Sequence, residues 1–147
     1  EQLYTAMNEA VKNKPVLSFR TKGNFTDVFA KAEKKLEATY ETPYEAHACM
    51  EPLNCIAHYQ GDRLEIWGPI QAPDWVQSDV ARLMELKTEN VAVNMTFLGG
   101  GFGRKAFIDY PHEAAVISKA INAPVQVVWT REDDMTQGPF RPGMVYQ

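Results

Sequence analysis

Cysteine is scarce in this chain. Two stand among 147 residues, Cys49 and Cys55, and two do not decide the redox compartment. No Cys-x-x-Cys is present. No long basic run exists and the net charge is −4, which argues against nucleic acid as the main partner. No apolar stretch is long enough to cross a membrane, and no signal peptide is visible. No Gly-Lys-Ser/Thr closes a phosphate loop of the Walker kind. No Ser-His-Asp or Cys-His arrangement has supporting context, no paired carboxylates stand out, and there is neither internal repeat nor internal linker.

Glycine is also sparse, with nine in the chain, yet four of them fall in five positions. The stretch is Leu98-Gly99-Gly100-Gly101-Phe102-Gly103-Arg104-Lys105. A strand-like run, 91–97, leads into it and a helix-like run, 110–121, leaves it. Glycine brings no side chain to a core and costs backbone entropy; what it permits is positive φ and close backbone approach. Such a loop exposes a row of backbone N–H groups, a cradle for an anion or a polar cofactor. Phe102 adds one flat apolar face, and Arg104 and Lys105 add positive charge at the exit.

Hydrophobic residues make up 45% and charged residues 23% of the chain, an ordinary globular balance with length enough for one domain and its core. Leu3, Met7, Ala10 and Val11 mark a helical face that Pro15 ends. A loop follows, within which 16–19 is a candidate extended run. Val28, Phe29, Ala32 and Leu36 mark a second helix capped by Asn24 or Thr26. Residues 37–44 alternate as a strand. Residues 55–59 and 63–67 read as a hairpin turning at Gln60-Gly61-Asp62. Pro73 opens a helix with Val76, Val80, Leu83 and Met84 on its apolar face. Val91, Val93, Met95 and Phe97 form the buried face of the next strand. Asp109 is the expected N-cap of the helix after the loop, and Asn122 and Pro124 are its stop signals. A short strand, 125–129, precedes a charged turn of helix capped by Thr130 or Asp133. This order predicts an α+β or mixed α/β fold, helices packed on a mixed β-sheet. Residues 1–147 read as one domain, with 1–23 a lead-in helix and loop. The run Met144-Val145-Tyr146 resembles an unfinished strand, so a fragment of a longer protein is expected.

Two sites invite chemistry. His47, Cys49, Glu51 and Cys55 carry ligand atoms, but their spacing fits no zinc pattern; the expectation is a His47 or Glu51 that holds a loop through backbone hydrogen bonds. Gly101-Phe102-Gly103-Arg104-Lys105-Ala106 fits the G-x-G-x-x-A dinucleotide pattern, although the next helix starts late and no acidic residue ends a strand at the required distance. A nicotinamide dinucleotide-binding domain is therefore one alternative, and a non-catalytic α/β interaction module another. Gln71 stands where a strand stops and a helix begins.

Several stretches together resemble one family. They are His47 with Met50-Glu51-Pro52, Trp67 with Gln71, Gly99-Gly100-Gly101-Phe102-Gly103-Arg104, Asp109-Tyr110, and Trp129-Thr130-Arg131-Glu132-Asp133-Asp134-Met135 with Arg141-Pro142. In this order they resemble the large, molybdopterin-binding subunit of the xanthine dehydrogenase and aldehyde oxidase family, and within it the isoquinoline 1-oxidoreductase beta-subunit type. Two positions depart from the wider pattern: Ile70 stands where threonine is usual, and Arg104 where eukaryotic members have glycine. The arginine suits the isoquinoline type.

The resemblance implies a molybdenum cofactor-binding core over 24–147. It implies hydroxylation of an aldehyde or N-heterocyclic carbon with water as oxygen source. The cofactor would be molybdopterin with molybdenum, in the cytosine dinucleotide form, in the full-length enzyme and not in the isolated fragment. Gln71, Gly100, Gly101, Phe102, Gly103 and Arg104 would bind it, Gln71 by a hydrogen bond at the metal centre. No residue would ligate the metal directly. The general-base glutamate is expected downstream, so no catalytic residue lies here, and Glu132, Asp133 and Asp134 are expected to be structural. A small [2Fe-2S] subunit and the rest of the large subunit would be partners. The compartment stays open between bacterial cytoplasm and periplasm. With those partner surfaces missing, the loop 99–105 is expected to be mobile.

Overall fold

The computed structural model describes residues 2–13 and 19–147. In chain order its elements are α1 (Gln2–Asn13), α2 (Phe25–Lys31), β1 (Tyr40–Thr42), β2 (Asn54–Tyr59), β3 (Leu64–Gly68), α3 (Pro73–Met84), β4 (Val91–Met95), α4 (Asp109–Ile121), β5 (Val125–Val128), α5 (Arg131–Thr136) and β6 (Met144–Tyr146). Two compact units divide the chain: Glu1–Glu45 with Pro142–Gln147, and Ala46–Arg141. Compactness thus breaks the chain after Glu45. The expectations at Pro15 and over 16–18 lie outside the described residues. No described helix is long and apolar enough to cross a membrane.

In the first unit, β1 pairs antiparallel with β6, Tyr40 opposite Tyr146. The Tyr4 hydroxyl donates to the Thr42 carbonyl at 2.9 Å, and Asn8 Nδ2 donates to Glu41 at 2.6 Å, tying α1 to β1. Asn24 caps α2 by accepting from the Asp27 N–H. That helix is shorter than its apolar spacing predicts: it stops at Lys31, and Leu36 lies outside it, exposed.

The second unit carries a four-stranded sheet in the order β4-β3-β2-β5. β2 is antiparallel to β3 and to β5, whereas β3 and β4 run parallel, so the sheet is mixed. The hairpin between β2 and β3 closes where Gln60 N–H donates to the Arg63 carbonyl, with Gly61 at φ +79°. A parallel neighbour requires a crossover, and α3 supplies it between β3 and β4. Alternation gives β2 and β3 one apolar face: Cys55, Ala57, Leu64 and Ile66 are buried there, with Val76, Val80 and Met84 of α3 and Tyr110, Ala114 and Ala115 of α4 in the same core. Each fully buried Leu, Ile or Val contributes about 1.5–3 kcal/mol, so this face dominates the unit's stability.

Three local expectations change. Leu83 is exposed, because the core-facing stripe of α3 runs through Val76, Val80, Ala81 and Met84. β4 ends at Met95, and Met95 and Phe97 are exposed: Met95 is the last residue paired, opposite Gly68, and Phe97 lies beyond the paired strand. The N-cap of α4 is Ile108 without a side-chain bond, since the Asp109 carboxylate is held by Arg104.

Candidate functional site

Parallel pairing of β3 and β4 places Gly68 opposite Met95, and Thr96 N–H donates to the Gly68 carbonyl. Both strands therefore end at one edge of the sheet, where the segments that follow them meet. After β3, Ile70 is buried in the core and Gln71 is exposed. The departure from threonine at Ile70 thus falls on a core-facing side chain. Gln71 N–H donates to the Lys105 carbonyl at 2.9 Å. Its side-chain oxygen accepts from Gly103 N–H at 3.0 Å and from Lys105 N–H at 3.2 Å. Two backbone donors identify that atom as Oε1, which leaves Nε2 with two donor hydrogens and no partner among the described residues.

The glycines of the loop earn their place by proximity. A Cβ on Gly101 would collide with the Gln71 amide, lying 2.6 Å from its Cδ. Gly100, Phe102 and Gly103 have φ of +94°, +50° and +96°. Phe102 is the costly one: a non-glycine residue held in the left-handed region stores about 1–3 kcal/mol, and such outliers cluster at functional sites. Its ring is exposed, and its carbonyl accepts from Arg141 at 3.1 Å. The Gly101 carbonyl accepts from Arg104 N–H at 2.7 Å and from the Cys49 thiol at 3.3 Å. The N–H groups of Gly100, Gly101 and Phe102 donate to nothing among the described residues.

Arg104 and Lys105 do not face outward as charges at the loop's exit. Arg104 is 2% and Lys105 0% exposed. The guanidinium grips Asp109 with two bonds, 3.0 and 2.6 Å, and lies over the rings of Trp129 and Phe107. Lys105 Nζ pairs with Glu51 at 2.5 Å. Both cations are neutralised inside the protein, because an unpaired buried charge is prohibitively costly. The side chain of Arg104 is therefore engaged inside the protein by Asp109, Trp129 and Phe107. At the other end of the loop, Glu51 N–H donates to the Gly99 carbonyl and Gly99 N–H to the Glu51 carboxylate, so Glu51 bonds the loop's start as Gln71 bonds its end. Partial burial alone would raise the Glu51 carboxyl, but hydrogen bonds from Lys105, Gly99 and Asn54 outweigh it and keep it below the usual range.

The remaining ligand-type residues go elsewhere. Cys55 is buried in β2 and Glu51 is engaged as described. Among the described residues no group of three or more His, Cys, Asp or Glu could hold a metal ion. His47 sits beside Gly103. Its Nδ1 is buried without a partner among the described residues, and desolvation, with Arg141 and Arg104 nearby, lowers its pKa. In α5, Asp133 completes a capping box with Thr130, and Asp134 pairs with Arg131 at 2.9 Å. Arg131 in turn donates to the Met50 carbonyl. Lys105 as a node, Arg141 on Phe102 and Cys49 on Gly101 were invisible as pairs in the sequence, since each joins positions far apart in it.

The site therefore presents neutral N–H donors on a fixed frame. The dinucleotide reading fails here. Residues Arg104–Ala106 form a single 3-10 turn, and α4 begins only at Asp109, so no helix N-terminus opens directly from the glycines, as a pyrophosphate would need. A family model for the molybdopterin cofactor-binding domain matches residues 8–147. The chain is 35% identical over 121 residues to the aldehyde oxidoreductase molybdenum-binding subunit PaoC of Escherichia coli (strain K12), covering 82% of this chain and 16% of that protein. It is 30% identical over 119 residues to isoquinoline 1-oxidoreductase subunit beta of Brevundimonas diminuta, covering 80% and 15%. In fold it is similar to the aldehyde oxidoreductase of Desulfovibrio gigas, with a TM-score of 0.71 at 19% identity over 82% of this chain and 14% of that one. The chain thus spans about a sixth of the curated relatives it matches. With its open amides, its glutamine and this match over nearly its whole length, the chain belongs to the molybdopterin cofactor-binding domain family.

Proposed function

We propose that this chain cradles the pterin end of a molybdenum cofactor, within an enzyme that hydroxylates an aldehyde or N-heterocyclic carbon. One observation carries the reading. The Gln71 oxygen is held by two backbone N–H groups, and its amide hydrogens are left to donate beside the open N–H groups of Gly100, Gly101 and Phe102. The donor set suits the group: neutral amides bind oxygen and ring-nitrogen acceptors without exchanging a proton. The cofactor supplies the two-electron acceptor for a hydroxylation whose oxygen comes from water.

The chain's own residues bind and orient. Gln71 and the amides of Gly100, Gly101 and Phe102 make the contacts. Gly103 fixes Gln71, and Arg104 acts from below through Asp109. The cytosine dinucleotide form of the pterin and a [2Fe-2S] subunit as electron partner belong to the same reading. Relatives named as an aldehyde oxidoreductase subunit and an isoquinoline oxidoreductase subunit support the substrate class.

Molybdenum, pterin and released nucleotide are measured on the enzyme that carries this chain, with Gln71→Ala alongside. The expected result is one molybdenum per pterin, cytidine monophosphate on hydrolysis, and a variant that loses activity more than cofactor. An enzyme without molybdenum overturns the reading, as does full activity in Gln71→Ala.

A further inference from the structure

Lys105 is fully buried and enters two clamps at once. Its Nζ donates to Glu51, which through its own N–H and carboxylate holds both backbone groups of Gly99. Its N–H and carbonyl bond the side chain and N–H of Gln71, whose oxygen also takes Gly103 N–H. The start of the loop, its end and the glutamine are thus tied to one residue. Packing agrees: a Cβ on Gly99 would lie 2.5 Å from Glu51 Cβ, so the carboxylate stem is seated against bare backbone. Asn54 Nδ2 donates to the second Glu51 oxygen at 3.2 Å and orients the carboxylate. The amides between the two clamps, Gly100 to Phe102, are those left open.

A lone buried lysine would be far more costly than an apolar residue of the same length, and a paired one often gains nothing over it. Stability alone therefore gives a weak reason for Lys105. We infer that Lys105 and Glu51 form a positioning pair: they set the spacing of the open amides and the orientation of the Gln71 amide, through bonds to the loop's two ends. The inference rests on the cofactor-binding reading for its purpose, but not for its test.

Amide hydrogen exchange is followed in this chain for the native sequence, Glu51→Gln, Lys105→Met and the double variant. In the native chain Gly99, Gly103 and Lys105 exchange slowly and Gly100 to Phe102 fast. Gly103 is the discriminating amide, because it bonds Gln71 and touches neither member of the pair. A charge-assisted hydrogen bond corresponds to about a tenfold to hundredfold effect. Both single variants are expected to speed Gly103 exchange by at least about tenfold, the double variant no more than either, with Ala57 and Ile66 of the sheet unchanged. The double variant leaves no unpaired charge and folds. Unchanged Gly103 exchange in the single variants overturns the inference. So does acceleration spread equally through β2 and β3, which marks general destabilisation, and so does a double variant that fails to fold. Should the enzyme prove free of molybdenum, the cofactor reading falls while the exchange data still decide this one.

Discussion

Gly101→Ala tests the contact at the centre of the site. The new methyl would meet the Gln71 amide, 2.6 Å from Cδ, while Gly101 is not among the residues of positive φ. Backbone strain therefore does not enter, and the obstacle is the end of a flexible side chain that can swing away. Swinging breaks the bonds of Gln71 Oε1 to Gly103 and Lys105 N–H. At about 0.5–1.5 kcal/mol per bond the loss is about 1–3 kcal/mol. At about 3 °C per kcal/mol for a chain of this size, the melting temperature falls by about 3–9 °C. Gln71→Ala loses the same two bonds without the methyl and should cost a similar amount. The informative protein is Gly101→Ala/Gln71→Ala, in which the methyl meets no amide. Urea unfolding of all four proteins gives the cycle, and the double variant is expected to match Gln71→Ala alone. A Gly101→Ala cost as large in the Gln71→Ala background as in the native chain refutes the reasoning, because the methyl would then be striking something other than that amide.

Acid should weaken the fold in two stages. His47 and His112 both lose affinity for the proton on folding, chiefly by desolvation, so below their ordinary 6.5 the unfolded chain binds more protons and stability falls with pH. Glu51 is held below its ordinary 4.5, so its contribution is complete above 4.5 and is lost as pH drops through the lower folded value. Urea midpoints against pH check both stages: His47→Gln/His112→Gln removes the first, and a native midpoint flat through 6.5 rules it out. Burial pushes the Cys55 thiol up to about 12 and also raises Cys49. Neither should react with a thiol reagent in the native chain, and both should after denaturation; rapid native labelling would contradict the burial.

Features written within a few residues were legible in the sequence. The hairpin at Gly61, a helix cap at Thr130 or Asp133, the proline that opens α3 and the Asn122 stop of α4 each follow from local backbone needs. The glycine block announced a loop with exposed amides for the same reason, and its surroundings carried the family. Tertiary structure decided what those amides do. Gln71 and Gly103 stand 32 positions apart, and Glu51 and Lys105 54 apart; parallel pairing of β3 with β4 and the return of the 46–53 segment bring them together. Asp109 shows the limit. Its place before a helix predicts a cap, yet a buried guanidinium needs a carboxylate more than a helix start needs a side chain, and Arg104 takes it. Periodicity and turn chemistry act over a few residues and are present in sequence. The neutralisation of buried charge depends on which groups the fold shuts away from water, and no local pattern contains it.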